Sequence, residues 1–394
     1  MAYLVWFIER DLCVASSIVI LQFEISINYK CPSALNLFMF NWSLMKKPDN
    51  FILMNLKEDT LKNDAPLFGN SLSYDDSHLV IIPAPWEPTT SYKGGTSNAP
   101  SLIRQASHQM DYFHEVYKDS YEKGIFFKDV HPEIHSLHEQ ALDVCADIQN
   151  QLTQENGVYT NFEQQLKKAN ILSDHFNSII YNESKSILNS KKIPALFGGD
   201  HSCPYGLMKA LSETYKDWSI LHIDAHFDLR IAYQGFTHSH ASILYNATQL
   251  ANAPQKISHV GIRDFSESEY SYANKNNHLS FTDKVLKRKE FSGETWDQTC
   301  YEILNPLSKN LYISFDVDGL DPQYCPQTGT PVPGGLTYNQ VVQLIEKASK
   351  DFNIIGFDLV EVASAPGDYE SWDINVGTRL LFELCLATLA SNNK

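Results

Sequence analysis

Carboxylate and imidazole side chains alternate in one short segment of the sequence, Asp224-Ala225-His226-Phe227-Asp228. In an extended chain, residues two apart point to the same side, so Asp224, His226 and Asp228 would project together. Two carboxylates and an imidazole that converge make a good site for a divalent cation. The same residues could instead serve as caps and turn residues after a strand, and this segment alone leaves both interpretations open.

A second acidic pair, in Asp316-Val317-Asp318, follows the apolar run Leu311–Phe315. Two carboxylates so close together repel one another, so burying both requires a cation or a shifted pKa. Asp318-Gly319 and Asp321-Pro322 are also typical of turns. Taken alone, this segment leaves a turn and a pair of metal ligands equally open.

A histidine, His201, follows a third apolar run, within Gly198-Gly199-Asp200-His201-Ser202. The two glycines would let the backbone approach a ligand closely. Together the three segments supply four aspartates and two histidines, a mixture that suits Mn²⁺ better than thiolate-bound zinc. Six ligands exceed what one such ion needs, so two ions that share bridging carboxylates form the simplest arrangement.

Apolar runs and amphipathic stretches alternate along the chain and would position these segments. The predicted strands are His78–Ile82, Ile193–Phe197, Trp218–Ile223, Ile257–Ile262, Asn310–Phe315 and Ile354–Val362. The predicted helices are Ser101–Met110, Leu137–Gln154, Phe162–Ser190, Pro204–Tyr215 and Tyr338–Lys350. The alternation predicts an α/β fold with a mainly parallel sheet. Ligands bind at the carboxyl ends of strands in such sheets, which is where the metal-competent residues stand.

The composition narrows the class of protein and its partners. The 394 residues include 31 basic and 47 acidic ones, a net charge of −16, and nucleic-acid binding normally needs a basic surface. Seven cysteines without a CxxC pair fit a reducing compartment. Val14–Phe23 is shorter than the ~20 residues of a membrane span. It also lacks the basic flank of a signal peptide. We therefore expect a cytoplasmic protein with no nucleic-acid or membrane partner.

Residues 1–72 differ from the rest, because aromatic and β-branched residues mix there without a clean period. We expect an N-terminal extension outside the catalytic fold, although a membrane-seeking or docking segment would show the same composition. The catalytic domain is then expected over residues 73–394.

The trio GGDHS, DAHFD and SFDVDGLDP resembles the ureohydrolase (arginase/agmatinase) superfamily. TTSYKGGTSNAPSLIR at 89–104, GTPVPGG at 329–335 and FDLVEV at 357–362 support this resemblance, which covers roughly residues 75–390. It implies an arginase-like, three-layer α/β/α architecture. A helical stretch around residues 111–175 looks longer than usual for the family and is expected to be an insertion.

The resemblance implies two Mn²⁺ per chain. One ion would be held by His201, Asp224, Asp228 and Asp316, and the other by Asp224, His226, Asp316 and Asp318. Asp224 and Asp316 would bridge the two ions. Family members of this kind form trimers or hexamers, so the resemblance also implies a homo-oligomer.

The implied reaction is hydrolysis of a guanidino C–N bond, which yields urea and an amine. Guanidinium is a poor electrophile, and water between two cations becomes a strong nucleophile near neutral pH. The leaving amine needs a general acid. His240 fits the family's register for it best and His238 is the alternative, while Ala241 replaces the usual glycine. Glu361 matches the family glutamate that binds the guanidinium group in a bidentate pair.

The loop Leu229–Gly235 departs from the arginase pattern and is closer to agmatinase-type members. Hydrolysis of agmatine to putrescine, a step of polyamine metabolism, is therefore the first expectation. Guanidinobutyrate, guanidine, arginine and formiminoglutamate stay open as substrates. Arg230 could meet a substrate carboxylate or pair with a neighbouring acid. A non-catalytic metal-binding homologue and a metal-dependent amide hydrolase are the alternatives of other classes, and six intact ligands argue against the first.

Overall fold

A single eight-stranded sheet organises the computed structural model, which describes residues 66–118, 120–153 and 161–392. The strand order is β2-β1-β3-β8-β7-β4-β5-β6. The strands are β1 (Leu79–Ala84), β2 (Ile125–Phe127), β3 (Ile193–Gly198), β4 (Ser219–Ile223), β5 (Ile257–Val260), β6 (Leu279–Phe281), β7 (Asn310–Asp316) and β8 (Asn353–Val360). Within the described ranges every neighbouring pair runs parallel. The predicted α/β fold with a parallel sheet is confirmed.

Helices supply the crossover connections that parallel neighbours require. They are α1 (Ala99–Ser107), α2 (Ile134–Leu152), α3 (Phe162–Asn189), α4 (Tyr205–Thr214), α5 (Ile243–Thr248), α6 (Glu267–Lys275), α7 (Asp283–Phe291), α8 (Trp296–Leu304), α9 (Tyr338–Asp351) and α10 (Trp372–Ser391). Apolar side chains of α1 and α7–α10 pack in one core cluster, and those of α2–α6 pack in others.

The strands contribute side chains to both main core clusters, because successive side chains point to opposite faces of a sheet. Along β3, Ala195 and Phe197 belong to one cluster, whereas Leu196 belongs to the other. Since both faces of the central strands are covered, those strands are apolar without a break rather than alternating. The two clusters with the sheet between them make the expected three-layer α/β/α architecture.

Two strands and several helices were not predicted from the sequence patterns. The strands β2 and β6 have three residues each and lie at the two edges of the sheet, so they are too short to show a period. The strand β1 continues through Pro83 to Ala84, two residues beyond the predicted strand end at Ile82. Pro83 pairs in register with Phe197, and the Ala84 carbonyl then accepts a bond from the Gly199 amide.

The helix α10 is apolar around most of its circumference, which hides the period of a surface helix. Its 20 residues are long and apolar enough to cross a membrane by length and composition alone. Yet 78% of its most apolar window is buried in the fold, where it packs on β8, α1 and α9. In this structure it is a core helix.

The predicted extension, residues 1–72, falls outside the described part of the chain up to residue 65. Leu67 and Phe68 are buried, and the Phe68 ring lies 4.9 Å from that of Phe382 in α10. Within 111–175 the described chain is irregular up to residue 133, apart from β2 and a short 3₁₀ turn, and becomes helical in α2 and α3. These two helices pack over Phe236, in the loop that leads to His240.

Candidate active site

Four adjacent central strands, in the order β3-β8-β7-β4, deliver the predicted site residues. His201 follows β3, Glu361 follows β8, Asp316 ends β7 and Asp224 follows β4. Because all four strands are parallel, their carboxyl ends meet at the same edge of the sheet. The fold therefore brings together residues that are far apart in sequence.

His201 is surrounded by carboxylate oxygens. Its Nδ1 atom lies 2.9 Å from Asp228 Oδ2, 3.0 Å from Asp224 Oδ2 and 3.4 Å from Asp316 Oδ2. Despite these short distances, the buried Nδ1 atom makes no hydrogen bond of acceptable geometry. A buried polar atom in that position normally has a partner, and oxygens and a nitrogen that converge without hydrogen bonds suit a shared cation.

A second group forms around His226. Its Nδ1 atom lies 3.1 Å from Asp318 Oδ2 and 3.4 Å from Asp224 Oδ1. The Ala225 amide donates to Asp318 Oδ1 over 2.9 Å, and the Asp318 amide donates to Asp316 Oδ1 over 2.8 Å. The two oxygens of Asp224 thus face the two groups, one each. This arrangement offers two cation positions that share Asp224.

The electrostatics of the cluster also fit bound cations. Burial, together with the charges of Asp318 and Asp224, raises the pKa of Asp316 well above its usual value. Burial and the Asp224 charge raise the pKa of Asp228 to about 6. Buried like charges are unfavourable, and a cation would remove that cost. The donor set therefore fits the divalent metal centre that the family resemblance implies.

His222 belongs to this cluster, although it was not among the residues predicted from the sequence. The two-residue spacing of Asp224, His226 and Asp228 extends back to it, so the signal was present in the sequence. Its Nε2 atom lies 2.8 Å from Asp224 Oδ2, and its Nδ1 atom lies 2.8 Å from His259 Nδ1. Its ligand atom lies within 4.8 Å of those of the cluster around His201. Contacts of this kind orient a carboxylate that binds a metal.

Behind His201, polar side chains of β7 and β8 fix its ring. The His201 Nε2 atom lies 2.9 Å from the Ser314 hydroxyl, which donates to Asp358 Oδ1 over 3.2 Å. The Tyr312 hydroxyl donates to the other oxygen of Asp358. A proton on Nε2 leaves Nδ1 free to act as a ligand. Asp358 thus supports the ring from outside the cluster.

A cavity of about 160 Å³ opens beside the cluster. Its lining includes His201, His226, Asp228 and Asp316 as well as His240 and Glu361. His238, the alternative general acid, is not among the lining residues, and its Nε2 atom lies 3.1 Å from Asp174 Oδ1. Of the two histidines, the structure therefore brings His240 to the cavity.

Glu361 sits where the backbone turns sharply at the end of β8. Its φ of 62° is unusual for a residue with a side chain. Its amide donates to the Gly199 carbonyl, and its Oε1 atom accepts a bond from the His201 amide over 2.9 Å. Burial and the Asp200 charge raise the pKa of Glu361 well above its usual value. A guanidinium group in the cavity would satisfy this carboxylate.

We call four of the other lining residues, all of them partly or fully exposed, the rim: Ser91, Arg230, Tyr233 and Asp264. The Arg230 Nε atom lies 3.6 Å from Glu269 Oε2, and its guanidinium covers the Tyr233 ring at 5.1 Å. Arg230 therefore pairs with a neighbouring acid, which was one of its two expected roles. The Asp264 carboxylate has no hydrogen bond or ion pair with any described residue.

Comparison with known proteins agrees with this geometry. The model of the Arginase family matches residues 77–387. The chain is 30% identical to N(1)-aminopropylagmatine ureohydrolase of Thermus thermophilus, an alignment that covers 74% of this chain and 84% of that protein. It is 28% identical to an agmatinase of Halalkalibacterium halodurans, over 74% and 86% of the two chains.

The crystal structure of agmatine ureohydrolase of Thermoplasma volcanium superposes with a TM-score of 0.62. The two chains are 22% identical, and the match covers 86% of this chain and 98% of that one. At this identity the likeness establishes a common fold. It confirms the expected three-layer architecture independently of the sequence motifs.

Proposed function

Because the chain belongs to the arginase family, we propose that it hydrolyses a guanidino C–N bond and releases urea and an amine. One observation carries the proposal: six residues of ligand type, from segments that match the family, converge at one edge of the sheet beside Glu361. They are His201, Asp224, His226, Asp228, Asp316 and Asp318.

We assign two Mn²⁺ per chain to this cluster. The first would be held by His201, Asp224, Asp228 and Asp316, and the second by Asp224, His226, Asp316 and Asp318. When bound, such ions supply a nucleophile by lowering the pKa of a water molecule. The two-sided position of Asp224 supports this assignment, as does the buried Nδ1 atom of His201, which has carboxylate oxygens around it but no hydrogen bond of acceptable geometry.

Glu361 would bind the substrate guanidinium. A carboxylate and a planar guanidinium form two parallel hydrogen bonds, which fix the plane of the group and present its carbon to water. Glu361 is suited to this role because its backbone is held by Gly199 and its Oε1 atom by the His201 amide. The substrate plane would thus be set by the same segment that carries the metal ligand His201.

His240 would protonate the leaving amine as the C–N bond breaks. Burial, with the nearby histidines His226 and His201, lowers the pKa of His240 to about 4, so its ring is neutral near pH 7. A neutral ring must first accept a proton, from the attacking water, and can then pass it to the amine nitrogen. The other proton of that water, on the oxygen that becomes the urea carbonyl, also goes to the released amine, so the products are urea and an alkylammonium ion.

The rim favours a substrate with a cationic tail. The Asp264 carboxylate has no ion pair with any described residue, whereas Arg230, the one lysine or arginine among the described lining residues, is paired with Glu269. We therefore propose agmatine as the substrate and putrescine as the product, which would place the enzyme in polyamine metabolism. The names of the relatives, agmatinase and N(1)-aminopropylagmatine ureohydrolase, support a substrate of this class.

We propose that the enzyme acts in the cytoplasm as a trimer or hexamer, with its catalytic domain over residues 73–394. The cysteines in the described part of the chain are all free and buried, which supports a reducing compartment. Burial raises the pKa of Cys203 well above its usual value, in keeping with an inert thiol. Light scattering with the purified protein tests the oligomeric state.

A substrate panel tests the proposed reaction. The protein purified with Mn²⁺ is assayed for urea release from agmatine, N(1)-aminopropylagmatine, arginine, guanidinobutyrate and guanidine, and for formamide release from formiminoglutamate. We expect urea from agmatine, lost on chelation and in Asp224→Asn. A protein that binds Mn²⁺ but releases urea from none of these compounds would overturn the proposal and favour a non-catalytic homologue.

A further inference from the structure

We propose that Thr89 is a positioning residue that fixes which ring nitrogen of His240 carries the proton. Its hydroxyl connects the buried carboxylate of Asp200 to the His240 ring. The inference deepens the proposed function, because it rests on the role of His240 as the group that moves the proton.

The loop that carries Thr89 is held firmly over Asp200. The Gly199 amide donates to the Ala84 carbonyl, and the Asp200 amide donates to the Trp86 carbonyl, both over 2.9 Å. A Cβ atom at position 199 would lie 2.0 Å from the Trp86 carbonyl oxygen, so only glycine allows this approach. Thr89 itself is fully buried.

Glu87 anchors the far end of the same loop, at residues 95–97. Its carboxylate accepts bonds from the amides of Gly95, Thr96 and Ser97 and from the hydroxyls of Thr96 and Ser97. These five bonds, together with the backbone pairing at Gly199 and Asp200, anchor both ends of the segment 84–97. Thr89 is therefore placed by the backbone of its loop rather than by its own side chain.

The Thr89 hydroxyl has three hydrogen-bonding contacts. It donates to Asp200 Oδ2 over 3.1 Å and accepts from the His240 amide over 3.2 Å. Its oxygen also lies 3.3 Å from His240 Nδ1. A hydroxyl has one proton and two acceptor positions, so once its proton goes to the carboxylate, the contact with Nδ1 requires a proton on that nitrogen.

Asp200 fixes the donor-to-acceptor direction of the hydrogen bonds that link it through Thr89 to His240. Its other oxygen accepts bonds from the amide and the hydroxyl of Ser202, so in all three of its side-chain bonds Asp200 is the acceptor. In the described part of the chain, Thr89 is the only hydrogen-bond partner of His240 Nδ1. The Nδ1–H tautomer leaves the Nε2 atom of His240 unprotonated, as a group that first accepts a proton must be.

Spectra of the ring test the assignment without reference to any substrate. Full-length protein labelled with ¹⁵N in histidine is studied in diamagnetic Mg²⁺, with His240→Gln to assign the signals. We expect Nδ1 to be protonated in the wild type and in Thr89→Ser, and a mixture of tautomers in Thr89→Val. A proton on Nε2 in the wild type, or an unchanged ring in a folded Thr89→Val, would overturn the proposal.

Kinetics test whether Thr89 acts through His240. Loss of one hydrogen bond of this kind should lower kcat in Thr89→Val about tenfold, with KM and metal content unchanged, and Thr89→Ser should restore it. Thr90→Val is the matched control, because the Thr90 hydroxyl donates to the Glu87 carbonyl and not to His240. We expect it to retain wild-type kcat.

A double-mutant cycle separates positioning from general damage to the loop. In a His240→Gln background, Thr89→Val should have no further effect on kcat. The same tenfold fall in both backgrounds would contradict the proposal. A wild type that releases urea from no guanidino compound would overturn the proposed function. The ring spectra would still test the role of Thr89, because they need no substrate. If Thr89→Val does not fold, the tautomer of His240 in the wild-type and Thr89→Ser spectra still tests the role of Thr89.

Discussion

The metal-ligand cluster and the rim of the same cavity differ in how they are held. In the cluster, Asp224, Asp316 and Asp318 are at most 3% exposed, and each contacts several neighbours. On the rim, the Arg230 side chain is 41% exposed, and the Asp264 carboxylate has no ion pair within the described part of the chain. The cluster stands at the ends of three central strands, β3, β7 and β4, whereas the rim stands on loops. The cluster, which would carry out the chemistry, is therefore preorganised. The rim, which would select the substrate, lies on loops, whose sequence can vary more readily.

The largest difference between the two regions should appear when one aspartate is neutralised in each. Asp224 faces both groups of ligands, so Asp224→Asn should lose metal and lower kcat/KM about 1000-fold or more. Asp264→Asn removes a carboxylate of the rim and should keep the metal and kcat, so that kcat/KM falls by no more than about tenfold. Metal analysis and urea release measure the two effects. Equal losses in the two variants would contradict the contrast between the cluster and the rim.

Glu361→Gln separates metal binding from substrate binding within the buried part of the cavity. The change keeps the shape of the side chain but removes the charge that would pair with guanidinium, so kcat/KM should fall about 100-fold. Metal content should stay at the wild-type level, because Glu361 is not a proposed ligand. Loss of metal from this variant would instead make Glu361 part of the metal centre.

His222→Asn tests whether support from behind the cluster matters. Removing its contact with Asp224 Oδ2 should weaken metal affinity about 10- to 100-fold, as measured by calorimetry. His278→Asn is the control, since His278 is also buried but has no contact with any proposed ligand. Similar metal affinities in both variants and the wild type would show that Asp224 is held without His222.

The smallest effect is expected on the rim itself. Asp264→Asn should raise KM for agmatine by up to about tenfold and leave kcat unchanged, because an exposed charge contributes little binding energy. KM for guanidine, which has no tail, should not change. A large fall in kcat would place Asp264 in the reaction rather than in the selection of the tail.

The same contrast explains what the sequence could predict. His201, Asp224 and Asp316 follow apolar runs directly, so their convergence could be inferred from the parallel sheet alone. The edge strands β2 and β6 and the core helix α10 lack a readable period, and they were missed. The rim was predicted least well, because Arg230 and Glu269 meet only through the packing of the loop after β4 against α6.

Anomalous X-ray diffraction at the manganese edge, from crystals of the protein grown with Mn²⁺, tests the central claim most directly. We expect two peaks per chain among the six proposed ligands, with Asp224 between them. A chain saturated with Mn²⁺ that shows no peak there, or one peak elsewhere, would contradict the account of this cluster as a binuclear metal centre.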